Sequence, residues 1–85
     1  MINKSEHPVG WALLMYELTD AQEHLARLVA DMDSDPDYGE GNLRVDLAHV
    51  YAHLNRAWHR REVEEDLPDG GFEAASQFPK DLEWM

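Results

Sequence analysis

From Trp11 onward the apolar side chains fall at Trp11, Leu14, Leu18, Ala21, Leu25, Leu28 and Met32, with spacings of 3, 4, 3, 4, 3 and 4. An alternation of threes and fours is a heptad seam, and it predicts an amphipathic helix with coiled-coil-like packing. Met15 and Val29 widen the stripe on one flank. Glu17, His24 and Asp31 occupy the other flank, which should therefore be wet. Pro8 suits a first helical turn, where its missing N–H is no loss. Asp35 precedes Pro36 and is pushed out of the helical region, which sets the helix at about 8–33.

A second seam runs through Leu43, Leu47, Val50, Leu54 and Ala57, with spacings of 4, 3, 4 and 3. It predicts a helix over about 42–64, ending between Arg61 and Asp66, where the apolar stripe fades. Asp37 with Glu40 resembles a capping box and Asn42 is the alternative cap; Gly39 and Gly41 favour the later start. Trp11, Tyr51 and Trp58 lie at or beside the seams and are expected in the core. The run 34–41 carries Pro36, Gly39 and Gly41, a turn-rich connection that joins antiparallel neighbours. Pro68, Asp69, Gly70 and Gly71 make a second turn, and the arm 67–85 then carries Phe72, Phe78, Leu82, Trp84 and Met85. So many large apolar residues predict an arm that folds back on the hairpin or docks on a partner, with a short helical turn after Pro79.

The predicted fold is all-α: one small domain, an antiparallel helical hairpin with a C-terminal arm. Two helices with one apolar stripe each cannot surround a core, so Leu18, Leu25, Leu47 and Leu54 need cover from a further layer. A two-fold homodimer of hairpins, closed as a four-helix bundle with the arm as a lid, is the simplest complete solution.

Composition narrows the function. The 85 residues carry 18 acids and 7 bases, a formal charge of -11, which excludes a generally basic nucleic-acid-coating protein. The longest apolar run, Trp11 to Tyr16, is far short of the ~20 residues that span a bilayer. The N-terminus lacks the order of a secretory signal, so a cytoplasmic location is expected. With no cysteine there is no disulfide, thiol nucleophile or thiolate metal site. Ser5, Ser34 and Ser76 stand in no Gly-x-Ser-x-Gly context, and no glycine-rich phosphate cradle is present. These absences point to a non-catalytic interaction or accessory protein with no cofactor and an unidentified protein partner.

Five other features bear on function. Asp46, His49 and His53 share a face of the second helix, and Glu17, Asp20 and His24 form a similar row on the first. Brought together they would supply carboxylate and imidazole ligands to a divalent transition metal, although neither Glu-x-x-His nor His-Glu-x-x-His occurs. His49, His53, Arg56 and Arg60 recur at 4, 3 and 4 as a basic ridge, which would meet an acidic partner or, within the molecule, Glu17, Asp20 and Asp31. In a chain so acidic, nucleic acid is an unfavourable partner for that ridge. Trp84 and Met85 are candidate anchors for a neighbour's groove. Asp31, Asp33, Asp35 and Asp37 alternate as in a calcium loop, but Pro36 and Asn42, or Tyr38 and Arg44, stand where that loop needs Gly and Glu. The acidic surplus also admits a decoy for a basic or DNA-binding partner.

Overall fold

The computed structural model describes residues 1–65 and 71–82. Among these the chain is helical with no strand: α1 spans Pro8–Ser34, α2 spans Glu40–His59, and a 3-10 turn at Arg60–Glu62 precedes the short α3, Gly71–Ala75. Gly10 meets Glu64, Glu17 meets Arg56 and His24 meets His49, so α1 and α2 run antiparallel. None of the described helices is long and apolar enough to cross a membrane.

Local chemistry accounts for the ends. Pro8 opens α1, and Asp35 leaves it in an extended conformation before Pro36. The second helix begins at Glu40, two residues earlier than the expected 42, because Asn42 acts from inside it. Its Oδ1 accepts the N–H of the extended Gly39 at 3.0 Å. Asp37 is no cap; its own N–H is held by Asp35 Oδ1 at 2.9 Å in an Asx turn. Regular α-helix ends at His59, short of the expected 64. Acids beyond it oppose the helix dipole, and Val63 turns extended. The segment it enters is clasped by the N-terminus: Ile2 N–H donates to Arg61 O at 2.8 Å and Gly10 N–H to Glu64 O at 2.9 Å. Ile2 is consequently buried.

The seam between the helices is not the one that the apolar periodicity marks. On α1 the buried positions are Gly10, Leu14, Glu17, Ala21 and Leu28, with His24 half-buried. The column Leu14–Ala21–Leu28 faces inward as expected. Its companion inside is the polar column Gly10–Glu17–His24, whereas Leu18, Leu25 and Met32 stay 39%, 45% and 51% exposed. Thus the flank expected to be wet is dry at Glu17, and the leucines expected under cover lie open. On α2 the same rotation buries Val50, Asn55, Arg56 and Ala57 while Leu54 and Tyr51 face solvent; Leu47 is half-buried. Tyr51 is therefore not a core residue, and Trp11 and Trp58 are only half-buried. Two features turn the helices this way. Gly10 lets the 63–64 backbone approach within the space a Cβ would need. Glu17, once inside, finds cationic and imidazole partners on α2.

The arm docks on its own hairpin by polar contacts. Its helical turn lies at Gly71–Ala75, ahead of Pro79 and not after it. Asn55 Nδ2 donates to Ser76 O at 2.9 Å; Trp58 Nε1 and Arg61 Nη2 donate to Asp81 at 2.9 and 2.8 Å. Ala75 and Pro79 are buried, but Phe72, Phe78 and Leu82 remain exposed. The lid therefore leaves Leu18, Leu25 and Leu54 uncovered.

Candidate functional site

The polar column on α1 and its counterpart on α2 meet in one cluster near the middle of the hairpin. Glu17 is its centre. Arg56 Nε donates to Glu17 Oε1 at 2.9 Å, and His53 Nδ1 lies 2.8 Å from Glu17 Oε2. The Glu17 and Arg56 side chains are 12% and 8% exposed, so this ion pair is largely shut off from water. The two oxygens of Glu17 are thus divided between Arg56 and His53. Arg56 Nη2 also lies within hydrogen-bond distance of that same Nδ1, at 3.0 Å. The guanidinium also donates from Nη1 to Ser76 Oγ at 2.7 Å and lies 4.3 Å from the Phe72 ring centroid. One arginine thus ties α1, α2 and the arm.

Three imidazoles gather beside the pair. The His24 ring stacks on His53 with centroids 5.1 Å apart and planes 24° from parallel, and it tilts against His49 at 5.7 Å. Spacings of 4 on α2 and the antiparallel course of α1 bring these rings to one edge. Of the six candidate ligands, Glu17, His24, His49 and His53 come together. Asp46 is drawn off towards the loop, where its Oδ2 accepts the Tyr38 hydroxyl at 2.8 Å. Asp20 is half-buried one turn before His24. Among the described residues no group of three or more such side chains could hold a metal ion.

The basic ridge is not a continuous exposed surface. Arg56 and Arg60 are both buried, and Arg56 meets the acid of its own first helix. The anchors Trp84 and Met85 lie outside the described residues. Asn55 and Ser76 were not legible as partners of this cluster, since nothing in the spacing ties a serine in the arm to α2. Gly10 did carry a weak signal: a glycine inside a helical pattern costs stability against alanine, which points to a packing reason for it.

Two titratable groups at the periphery are shifted. Partial burial, then the hydrogen bond to Asp46, pushes the Tyr38 phenol up to about 12. At the arm, the Trp58 indole N–H, with Arg61 beside it, holds the Asp81 carboxyl below its ordinary value.

On the opposite face of the hairpin, Met15, Leu18, Leu25, Val50 and Leu54 line an apolar groove. It continues past Leu18 and Leu54 to Trp58, Met1 and Leu82. The histidine edge and this groove flank the buried Leu14–Ala21–Leu28 column on opposite sides.

No family model, no curated protein and no solved structure matches the chain.

Proposed function

We propose that the chain is a non-catalytic interaction module whose working form is a two-fold dimer of hairpins, a four-helix bundle closed over the apolar groove. The observation that carries this reading is surface left unburied. A folded monomer of 9.8 kDa exposes about 5,200 Å². This chain exposes 6447 Å². The surplus, about 1,200–1,300 Å² per chain, exceeds the ~800 Å² that each partner contributes to a standard stable interface. Its radius of gyration, 14.8 Å, likewise exceeds the ~12 Å of a compact domain of this length.

The pattern on the open face supports a second copy of the chain as the partner. Leu18, Leu25 and Met32 repeat every seven residues on α1, and Leu47 and Leu54 do so on α2. Such columns match one another across a two-fold axis, where the same patch meets itself. Surfaces outside the bundle remain for an unidentified protein partner.

Light scattering or sedimentation on the purified, untagged chain tests the assembly. The expected mass is twice 9.8 kDa at high micromolar concentration, and a particle of 9.8 kDa there refutes it. Leu18→Lys with Leu54→Lys should give a helical monomer by circular dichroism, because neither side chain is needed inside the hairpin. A double variant that stays dimeric also refutes the proposed face.

A further inference from the structure

We propose that Met15 and Met32 are modification sites that control self-association: a peroxide converts their thioethers to sulfoxides and so releases the hairpins from each other. The inference rests on the dimer proposed above and assigns its regulation.

Placement is the first support. Met15, Leu18, Gln22, Leu25, Val29 and Met32 follow one another at spacings of 3, 4, 3, 4 and 3, a single stripe along the open face of α1. Met15 lines the groove with Leu18 and Leu25, and Met32 lines its extension with Val29. At ~1.5 Å per residue the two methionines stand about 26 Å apart, so they bracket the face at both ends. Met1, the third methionine among the described residues, borders the same groove beside Leu54 and Leu82. Met15, Met32 and Met1 are 41%, 51% and 73% exposed, so a small oxidant reaches each side chain in the single hairpin. The chain has no cysteine, and thioethers are its only sulfur.

The chemistry supplies the second support. The sulfur lone pair attacks a peroxide oxygen, an S–O bond forms and the O–O bond breaks. The peroxide takes that electron pair and departs, with the proton, as water or an alcohol. The product is a polar, chiral side chain where an apolar, adaptable one stood, and Met-rich interfaces lose their fit by this change. A sulfoxide buried against leucines lacks the hydrogen bonds that water gave it. The buried column Leu14–Ala21–Leu28 contains neither methionine, so the helices remain folded while association fails. Because the bundle would cover both thioethers, oxidation acts on the dissociated chain and holds it there by mass action.

Hydrogen peroxide treatment of the untagged protein tests the proposal, with peptide mass spectrometry to locate the added oxygen and sedimentation to read assembly. Oxidation at Met15 and Met32 should raise the dimer dissociation constant roughly tenfold or more, with the helical circular dichroism retained. Methionine sulfoxide reductases of both stereochemical classes, with dithiothreitol, should restore the dimer. Met15→Leu with Met32→Leu keeps apolar volume and should dimerise as before, yet resist peroxide. Oxidation at both sites should slow as protein concentration rises, and should ignore concentration in the Leu18→Lys, Leu54→Lys variant. Untreated protein that is already a 9.8 kDa particle overturns the dimer and this inference together. Four results overturn the inference while the dimer stands: a dimer that persists with sulfoxide at both positions, a leucine double variant that peroxide still dissociates, dissociation accompanied by loss of helix, or oxidation rates that do not respond to concentration in the unsubstituted chain.

Discussion

Breaking the Glu17–Arg56 pair is the sharpest probe of the hairpin. Both side chains are nearly dry, so removing one partner strands the other without water to screen it. Losses from such single removals run about 3–5 kcal/mol. Arg56→Ala belongs at the lower end, because Glu17 keeps the His53 ring nitrogen at 2.8 Å. Glu17→Ala belongs at the upper end, because Arg56 would lose its carboxylate and keep Ser76 Oγ, His53 Nδ1 and the Phe72 face. Glu17→Leu combined with Arg56→Met removes both charges and restores most of the volume. It should cost less than either single change, giving a coupling of about 2–4 kcal/mol. A domain this size has ~4–13 kcal/mol in total, so each variant is measurable near 15 °C. Urea unfolding followed at 222 nm, at one fixed protein concentration, reads these differences. Single variants that lose less than about 1 kcal/mol, or a double variant whose cost equals their sum, would refute the claim that this pair is buried and mutually dependent.

Gly10→Ala should destabilise by about 1–3 kcal/mol, since the new methyl would meet Val63 O and sit 2.6 Å from Glu64 O, both backbone atoms; urea unfolding that leaves the midpoint unchanged refutes the close approach. Tyr38 should keep its proton well above pH 10, with a phenol near 12, while Tyr16 and Tyr51 are exposed; ultraviolet titration at 295 nm, compared with Asp46→Asn, checks it. Because the folded value is raised, the stability Tyr38 lends is complete below pH 10 and is lost as pH climbs through 12. Asp81 behaves with the opposite sign. Its lowered value makes the arm's attachment complete above the ordinary carboxylate range and weakens it as pH falls through that lowered value, which carboxyl NMR shifts and Trp58 fluorescence follow.

The helices were legible because periodicity, Pro8 and Pro36 are local signals. The rotation of each helix about its own axis was not. A heptad seam marks two adjacent columns, and either column can face the neighbouring helix while the other faces elsewhere. Leu14, Ala21 and Leu28 belong to the buried set on either choice, so the apolar pattern alone does not decide between Leu18 and Glu17 for the companion column. The decision rests on pairings between residues far apart in sequence: Glu17 with Arg56, and Gly10 with the backbone at 63–64. The same limitation applies to the histidines, whose spacing on α2 was visible but whose meeting with His24 depends on the rotation. Ser76 reaches the cluster only through the turn at Gly71–Ala75, which the position of Pro79 did not foretell.

Placing a charged column inside and leucines outside has a physical rationale. Leu14, Ala21 and Leu28 repeat every seven residues, so sliding α1 by one heptad against α2 would change little of their apolar contact. It would, however, carry Glu17 about 10 Å from Arg56 and leave two buried charges unpaired. The ion pair therefore sets register where the small apolar column is permissive, as single polar positions do in coiled coils. It contributes little net stability by that means, because desolvation offsets much of the attraction. In the dimer we propose, further stability comes from apolar burial at Leu18, Leu25 and Leu54, which the single hairpin leaves exposed. In that proposed dimer, register and burial are assigned to different faces of the same two helices. For that reason the paired substitution at 17 and 56 should loosen register without removing self-association, and lysines at 18 and 54 should remove self-association without loosening register.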